Sequence, residues 1–257
     1  MERKDLFDVV VVRGTDALPF LHSQFAADLM SLEDGCLRWS ALLNPQGRVL
    51  FVVAAVRLAV DDWRLLVPYS RGAELVDLLR RFVFRRKLAL ALDAGTLVAE
   101  GDAEGMASGI EGLQLVLAQV GSVPALTDAA LDRFVGGGLA LIDATAAGRH
   151  LAHALRLDRF EAFSVKKGCY PGQEIVARTH FLGRNKRVLA EVGVGDGPMP
   201  PSGTRLFDGE VEVGEIVCAG TTRALAVLTR DLPVGRGLGS TPSIGQVVLT
   251  RTYPSQS

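Results

Sequence analysis

Cysteine and aromatic residues are scarce in this chain, with three Cys, two Trp and three Tyr among 257 residues. Cys36, Cys169 and Cys218 are odd in number and widely spaced, and no Cys-x-x-Cys pair occurs. With no such pair, neither a disulfide framework nor a self-contained cysteine-based zinc or iron–sulfur site is encoded. Long apolar runs are missing too. The longest, residues 49–56, is eight residues, far short of the roughly 20 that span a bilayer. The opening Met1-Glu2-Arg3-Lys4-Asp5 does not lead into the apolar segment of a signal peptide. A cytoplasmic protein with no membrane attachment is expected, and a monomer. An excess of either charge is also absent: 28 Lys and Arg against 29 Asp and Glu leave a net charge of −1. No global field therefore draws the chain to nucleic acid. Gly101, Gly105 and Gly109 recur every four residues, but they match neither a phosphate loop nor a dinucleotide fingerprint.

What is present is a mixture of strands and helices in an α+β order. Residues 6–12 predict a strand, and Gly14-Thr15-Asp16 caps a helix that tolerates Pro19 in its first turn. That helix would bury Leu18, Leu21, Phe25 and Leu29. Strands follow over residues 36–43, 48–58 and 63–67, with a turn at Asn44-Pro45-Gln46-Gly47. Ser70 is expected to cap a helix whose buried stripe is Leu75, Leu78, Leu79 and Phe82. Leu88, Leu90 and Leu92 alternate as a strand does. Residues 94–112, rich in small residues, are expected to be loop, and residues 113–119 a strand. Thr145 is expected to cap a helix over 144–155 carrying His150 and His153, with no third ligand at metal spacing. Beyond Gly183, short alternating strands over 187–194, 212–219, 223–229 and 246–250 are separated by turns such as Gly195-Asp196-Gly197-Pro198. That is the pattern of a small antiparallel barrel. Cys36 and Cys218 sit in apolar strand-like runs and are expected in the core.

One polar stretch stands apart: Lys166-Lys167-Gly168-Cys169-Tyr170-Pro171-Gly172-Gln173-Glu174. Pro171-Gly172 predicts a turn with positive φ at the glycine, and Tyr170 before proline is kept extended. Gln173 then opens a segment that reads as a short helix capped by Gly183, with Glu174 and Arg178 four residues apart. Ile175 and Val176, both β-branched, leave a strand open. If it is a helix, Cys169 stands just ahead of its N-terminus with Lys166 and Lys167 nearby, features that favour thiolate over thiol. The bland alternative is a thiol filling space behind a turn. The cations Arg80, Arg81, Arg85, Arg86 and Lys87 form a second polar cluster, and Arg178, Arg184, Lys186 and Arg187 follow the motif. By default the first cluster is a solvated helix end; the alternative is an anion site, since arginine forks suit carboxylates or phosphates. Phe82 and Phe84 read as core residues, not base-stacking platforms, and direct nucleic-acid binding is disfavoured.

Lys167-Gly168-Cys169-Tyr170-x-Gly172-Gln173-Glu174 followed by Ala177-Arg178 resembles the signature of the YgfZ family, folate-binding relatives of the glycine cleavage T protein. Gly14-Thr15-Asp16-Ala17, Asn44-Pro45-Gln46-Gly47-Arg48-Val49, Leu157-Asp158-Arg159-Phe160 and Gly214-Glu215-Ile216 resemble other parts of that family. The resemblance implies two interleaved α+β subdomains around a central pocket over residues 1–185, and a β-barrel over 186–257. It implies tetrahydrofolate or a one-carbon derivative as cofactor, and a role in maintaining iron–sulfur clusters for enzymes such as those that thiolate tRNA. By the same resemblance Cys169 and Lys167 carry the function, while Gln173, Glu174, Arg178 and Tyr170 bind the cofactor. No metal site is implied. Two departures bear on activity. T proteins carry an acidic residue shortly after the position of Gly47, whereas residues 48–60 here contain no Asp or Glu. A methylene-transfer enzyme needs a carboxylate at its reacting amine, so an aminomethyltransferase is the alternative and a non-enzymatic accessory protein the leading expectation. Asp61 or Asp16 in the pocket would revive the alternative. Residues 144–155 also lack the proline-containing run expected before the signature.

Overall fold

The apolar run at 49–56 is unbroken because both of its faces are buried. The computed structural model describes residues 5–102, 104–183, 186–195, 197–241 and 246–254; Arg184 and Asp196, singled out above, lie outside them. The run forms most of β3 (Val49–Ala59), which pairs antiparallel with β2 (Leu37–Leu43) and β4 (Asp62–Pro68). With β1 (Phe7–Arg13) and β5 (Ala89–Asp93) they make a five-stranded sheet ordered β2-β3-β4-β1-β5. Side chains alternate across the pleat. Val52, Ala54 and Val56 enter one core, while Phe51, Val53 and Ala55 enter the other. The second core is closed by α1 (Ala17–Gln24) and α2 (Gly72–Arg80) through Phe20, Leu21, Leu75 and Leu79. The first is closed by a smaller sheet, by α3 (Leu131–Gly137) and by the irregular chain that follows it.

Several local expectations are corrected. Residues 94–112 are not loop: β6 (Thr96–Gly101) and β7 (Met106–Ile110) flank β8 (Leu113–Gln119) in a three-stranded sheet. The glycines serve close approach, since a Cβ on Gly101 would lie 2.5 Å from Val116 Cγ1. No helix forms over 144–155. Asp143, not Thr145, caps this stretch, its Oδ1 accepting from the N–H groups of Thr145 (2.9 Å) and Ala146 (3.0 Å). Val49 then donates to the His150 carbonyl at 2.9 Å and accepts from Gly148 at 2.8 Å, so the chain runs beside β3 instead of coiling.

Ser70 caps nothing. The Asp8 carboxylate instead accepts the Gly72 N–H at 2.8 Å, where a side chain would collide with Asp8. Asp16 likewise turns its carboxylate to the Lys87 N–H (2.7 Å). Phe25 and Leu29 are buried but lie beyond the end of α1. Phe82 and Phe84, expected in the core, are 50% and 79% exposed, because α2 stops at Arg80. Cys36 is exposed ahead of β2, contrary to expectation, whereas Cys218 is buried as expected. Burial pushes the Cys218 thiol up to about 11.

The last strands are β9 (Val188–Val194), β10 (Arg205–Asp208), β11 (Val211–Ala219), β12 (Arg223–Leu228), β13 (Gly237–Thr241) and β14 (Gln246–Tyr253). They close a barrel in the order β10-β11-β12-β9-β14-β13. Strands β10 and β13 are short, and the sequence pattern did not reveal them. The fold is α+β with a C-terminal antiparallel barrel. Among the described residues no helix is long and apolar enough to cross a membrane.

Candidate functional site

The motif turn docks on another turn. Gly172 adopts φ 78° and precedes α4 (Gln173–Leu182), which Gly183 ends at φ 59°. Both glycines occupy the left-handed region that side chains resist. Gly47, at φ 72°, closes the turn in which its N–H bonds the Asn44 carbonyl at 2.9 Å. A Cβ on Gly172 would lie 2.6 Å from the Asn44 carbonyl oxygen and 2.8 Å from Gly47 Cα; one on Gly47 would lie 2.8 Å from Ile175 Cβ. Two backbones thus meet with no room for side chains between them. Cys169, just ahead of the turn, is exposed.

Lys167 is buried and lies across the other side of the motif. Its ammonium donates to the carbonyls of His22, Phe25 and Ala27 and sits 4.9 Å from the centre of the Tyr170 ring. Burial lowers its pKa to about 8, with Asp28 opposing. Three donors meet three acceptors, and no contact joins this ammonium to Cys169. The Tyr170 hydroxyl donates to Ser164 O at 2.9 Å, and burial raises it to about 12. Gln173 Nε2 donates to Lys167 O at 3.0 Å. Glu174 and Arg178 are both exposed on α4, and no ion pair joins them among the described residues. The residues expected to bind a cofactor therefore brace the motif (Tyr170, Gln173) or face solvent (Glu174, Arg178).

A cavity of about 340 Å³ opens where the start of β3, residues 148–154 and barrel strands β10–β12 meet. Arg48, Arg149, His150, Arg187, Arg205 and Glu215 are among its walls. Arg48 directly follows Gly47, so the motif turn stands one residue from the cavity wall. A larger cleft of about 590 Å³, between β7, α3 and the barrel, includes no residue of the motif. Glu215 Oε1 lies 2.9 Å from His150 Nε2, and Oε2 lies 2.6 Å from Arg149 Nη2. Neither contact is aligned as a hydrogen bond, which leaves His150 Nε2 and Glu215 Oε2 buried and unsatisfied. Burial, reinforced by Arg149, Arg187 and Arg48, lowers His150 to about 4. Burial raises Glu215 against the opposing charge of Arg149. Orphaned polar atoms in a concave, arginine-rich wall are a place for a ligand's own donors and acceptors.

Close by, both nitrogens of His153 are sealed without partners. Its ring lies 4.7 Å from Phe163 and 6.1 Å from His180 of α4. Among the described residues no group of three or more His, Cys, Asp or Glu is placed to hold a metal ion. Sequence reasoning missed the cavity. It placed His150 on a helix beside His153, whereas the true neighbour of His150 is Glu215, 65 positions away on the barrel.

No protein-family profile matches the chain. The tRNA-modifying protein YgfZ of Shigella boydii serotype 4 (strain Sb227) is 31% identical over 180 residues, 64% of this chain and 52% of that protein. The chain is a relative of the YgfZ proteins. YgfZ of Escherichia coli (strain K12 / DH10B) is 38% identical over 81 residues, 32% of this chain and 24% of the relative. The chain thus spans about half the length of the first YgfZ protein, 52% of it. The aminomethyltransferase T of the glycine cleavage system from Bartonella henselae superposes with a TM-score of 0.69 at 14% identity. That superposition covers 95% of this chain and 82% of the T protein, so the YgfZ relative has the T-protein fold.

Proposed function

We propose that this YgfZ relative is a folate-binding accessory protein that supports iron–sulfur enzymes, among them those that modify tRNA, and that it acts through Cys169. The observation that carries the reading is the join between motif and cavity: the Gly172 turn, with the exposed Cys169 ahead of it, packs on Gly47, and Arg48 is cavity wall. The cavity's donors and acceptors fit a folate. Glu215 and His150 offer an acceptor and a neutral imidazole to the polar edge of a pterin, and Arg48, Arg149, Arg187 and Arg205 suit the carboxylates of a glutamate tail. When bound, tetrahydrofolate supplies one-carbon carrier chemistry. In this reading Lys167 and Gln173 hold Cys169 in position, and Tyr170 packs beneath them. Glu174 and Arg178 present an exposed, charged helix face to the client protein. Cytoplasmic residence goes with that role.

Titrating tetrahydrofolate into the full chain tests the ligand. Saturable binding is expected, weakened tenfold or more by Arg48→Ala, since a hydrogen bond to a charged group contributes about 1.5–3 kcal/mol. A flat titration removes folate from the account.

A second reading, one-carbon transfer, draws on Glu212 and Glu215, the carboxylates that do line the cavity. Asp16 and Asp61, the candidates from sequence, do not line it. Aminomethyl transfer abolished by Glu215→Gln would establish this reading in place of the first.

A further inference from the structure

The segment Arg80-Arg81-Phe82-Val83-Phe84-Arg85-Arg86-Lys87 joins α2 to β5 and takes no part in the site above. Five of its eight residues are cations. Arg80 meets Asp77 at 3.2 Å; the side chains of Arg81, Arg85, Arg86 and Lys87 have no carboxylate partner among the described residues. Phe82 is 50% exposed and Phe84 79%. The Arg85 guanidinium lies 5.1 Å from the centre of the Phe84 ring.

This exposure is built in. Phe82 N–H bonds Leu79 O at 2.9 Å, Val83 N–H bonds Arg80 O at 3.3 Å, and Arg86 N–H bonds Val83 O at 2.7 Å. Val83 packs against the second core, and Arg85 takes φ 59°. The Lys87 N–H is held by Asp16 at 2.7 Å. A bonded turn anchored at Val83 therefore turns Phe82 and Phe84 outward, each beside cations. Phe84 lies mostly in water and Phe82 half so, and their ordered presentation lowers the entropy cost of binding.

We propose that this turn is a docking surface for single-stranded nucleic acid. Bases stack on Phe84 and Phe82, and phosphates meet Arg81, Arg85, Arg86 and Lys87. An exposed ring needs a base with a free face, which an unpaired strand offers and a duplex does not. Four of the five cations are arginine, whose planar fork suits phosphate and whose stacking on Phe84 widens the platform for a base. A bilayer surface would call for a larger apolar face than two rings set among charges.

Fluorescence anisotropy of labelled strands of about 12 nucleotides against the full chain tests this. RNA, DNA of the same sequence, a duplex and phosphatidylserine vesicles serve as parallel probes. Unpaired strands are expected to bind with a log–log salt slope of about −3, from roughly 0.7 per neutralised phosphate and four cations. Phe84→Ala should weaken binding about tenfold with the slope unchanged, and Phe84→Tyr should retain it. Arg85→Gln with Arg86→Gln should reduce the slope by about 1.4. These side chains are exposed, so every variant folds, and each should titrate with tetrahydrofolate as the unaltered chain does. Preference for RNA, or equal binding of RNA and DNA, upholds the proposal and identifies the strand. A duplex bound as tightly, vesicles bound instead of strands, an unaffected Phe84→Ala or no binding at all would overturn it.

Discussion

Gly172 and Gly47 meet backbone to backbone: a Cβ on Gly172 would stand 2.8 Å from Gly47 Cα and 2.6 Å from Asn44 O. The contact fixes where the motif turn sits relative to the start of β3. Gly172→Ala must both hold a side chain at φ 78° and displace backbone. The expected loss is roughly 2–4 kcal/mol, from left-handed strain plus overpacking. Urea unfolding checks it, with Gly168→Ala as control, since a Cβ there meets open space. The control should stay within about 0.5 kcal/mol of the unaltered chain.

How much of this was legible beforehand divides along one line. The Pro171-Gly172 turn, the α4 helix and its Gly183 cap are local, and residues adjacent in sequence specify them. β3 was equally plain, because a strand buried on both faces leaves an apolar run. Contacts that join distant segments were not legible. Lys167 reads as a partner for the neighbouring thiol until His22, Phe25 and Ala27 are seen to present their carbonyls to it. Residues 144–155 have helical composition, yet Val49 claims their backbone groups. Gly101 and Gly105 look like loop glycines but serve cross-strand packing.

Lys167→Met should cost roughly 2–4 kcal/mol, because three carbonyls lose a charged donor in a buried place. Urea midpoints measure that. The alkylation rate of Cys169 in the folded variant should be unchanged, which distinguishes an anchor from a thiolate partner.

Acid should loosen the fold through His153. Burial lowers its folded pKa to about 4 from the ordinary imidazole value of 6.5, so between those values the unfolded chain binds more protons. Stability then falls as pH drops from 6.5 towards 4 and is fully present above 6.5. His153→Leu replaces a ring whose nitrogens have no partners, and should reduce the slope in that window without loss of stability at pH 7. The remaining slope comes from His150, which burial also lowers to about 4. An unchanged slope would place the acid sensitivity elsewhere.

Glu215→Gln keeps the shape of the cavity wall and removes its buried carboxylate. Tetrahydrofolate affinity should fall about tenfold, with the Kd less sensitive to pH than that of the unaltered chain. Calorimetric titration across pH measures both.

Cys169 is exposed, so Cys169→Ala should fold as the unaltered chain does, within about 0.5 kcal/mol, and should still bind tetrahydrofolate. The decisive measurement is the activity of an iron–sulfur tRNA-thiolating enzyme in cells that lack this protein and receive either form. The account predicts restoration by the unaltered chain and none by Cys169→Ala at equal abundance. Full restoration by Cys169→Ala would contradict it.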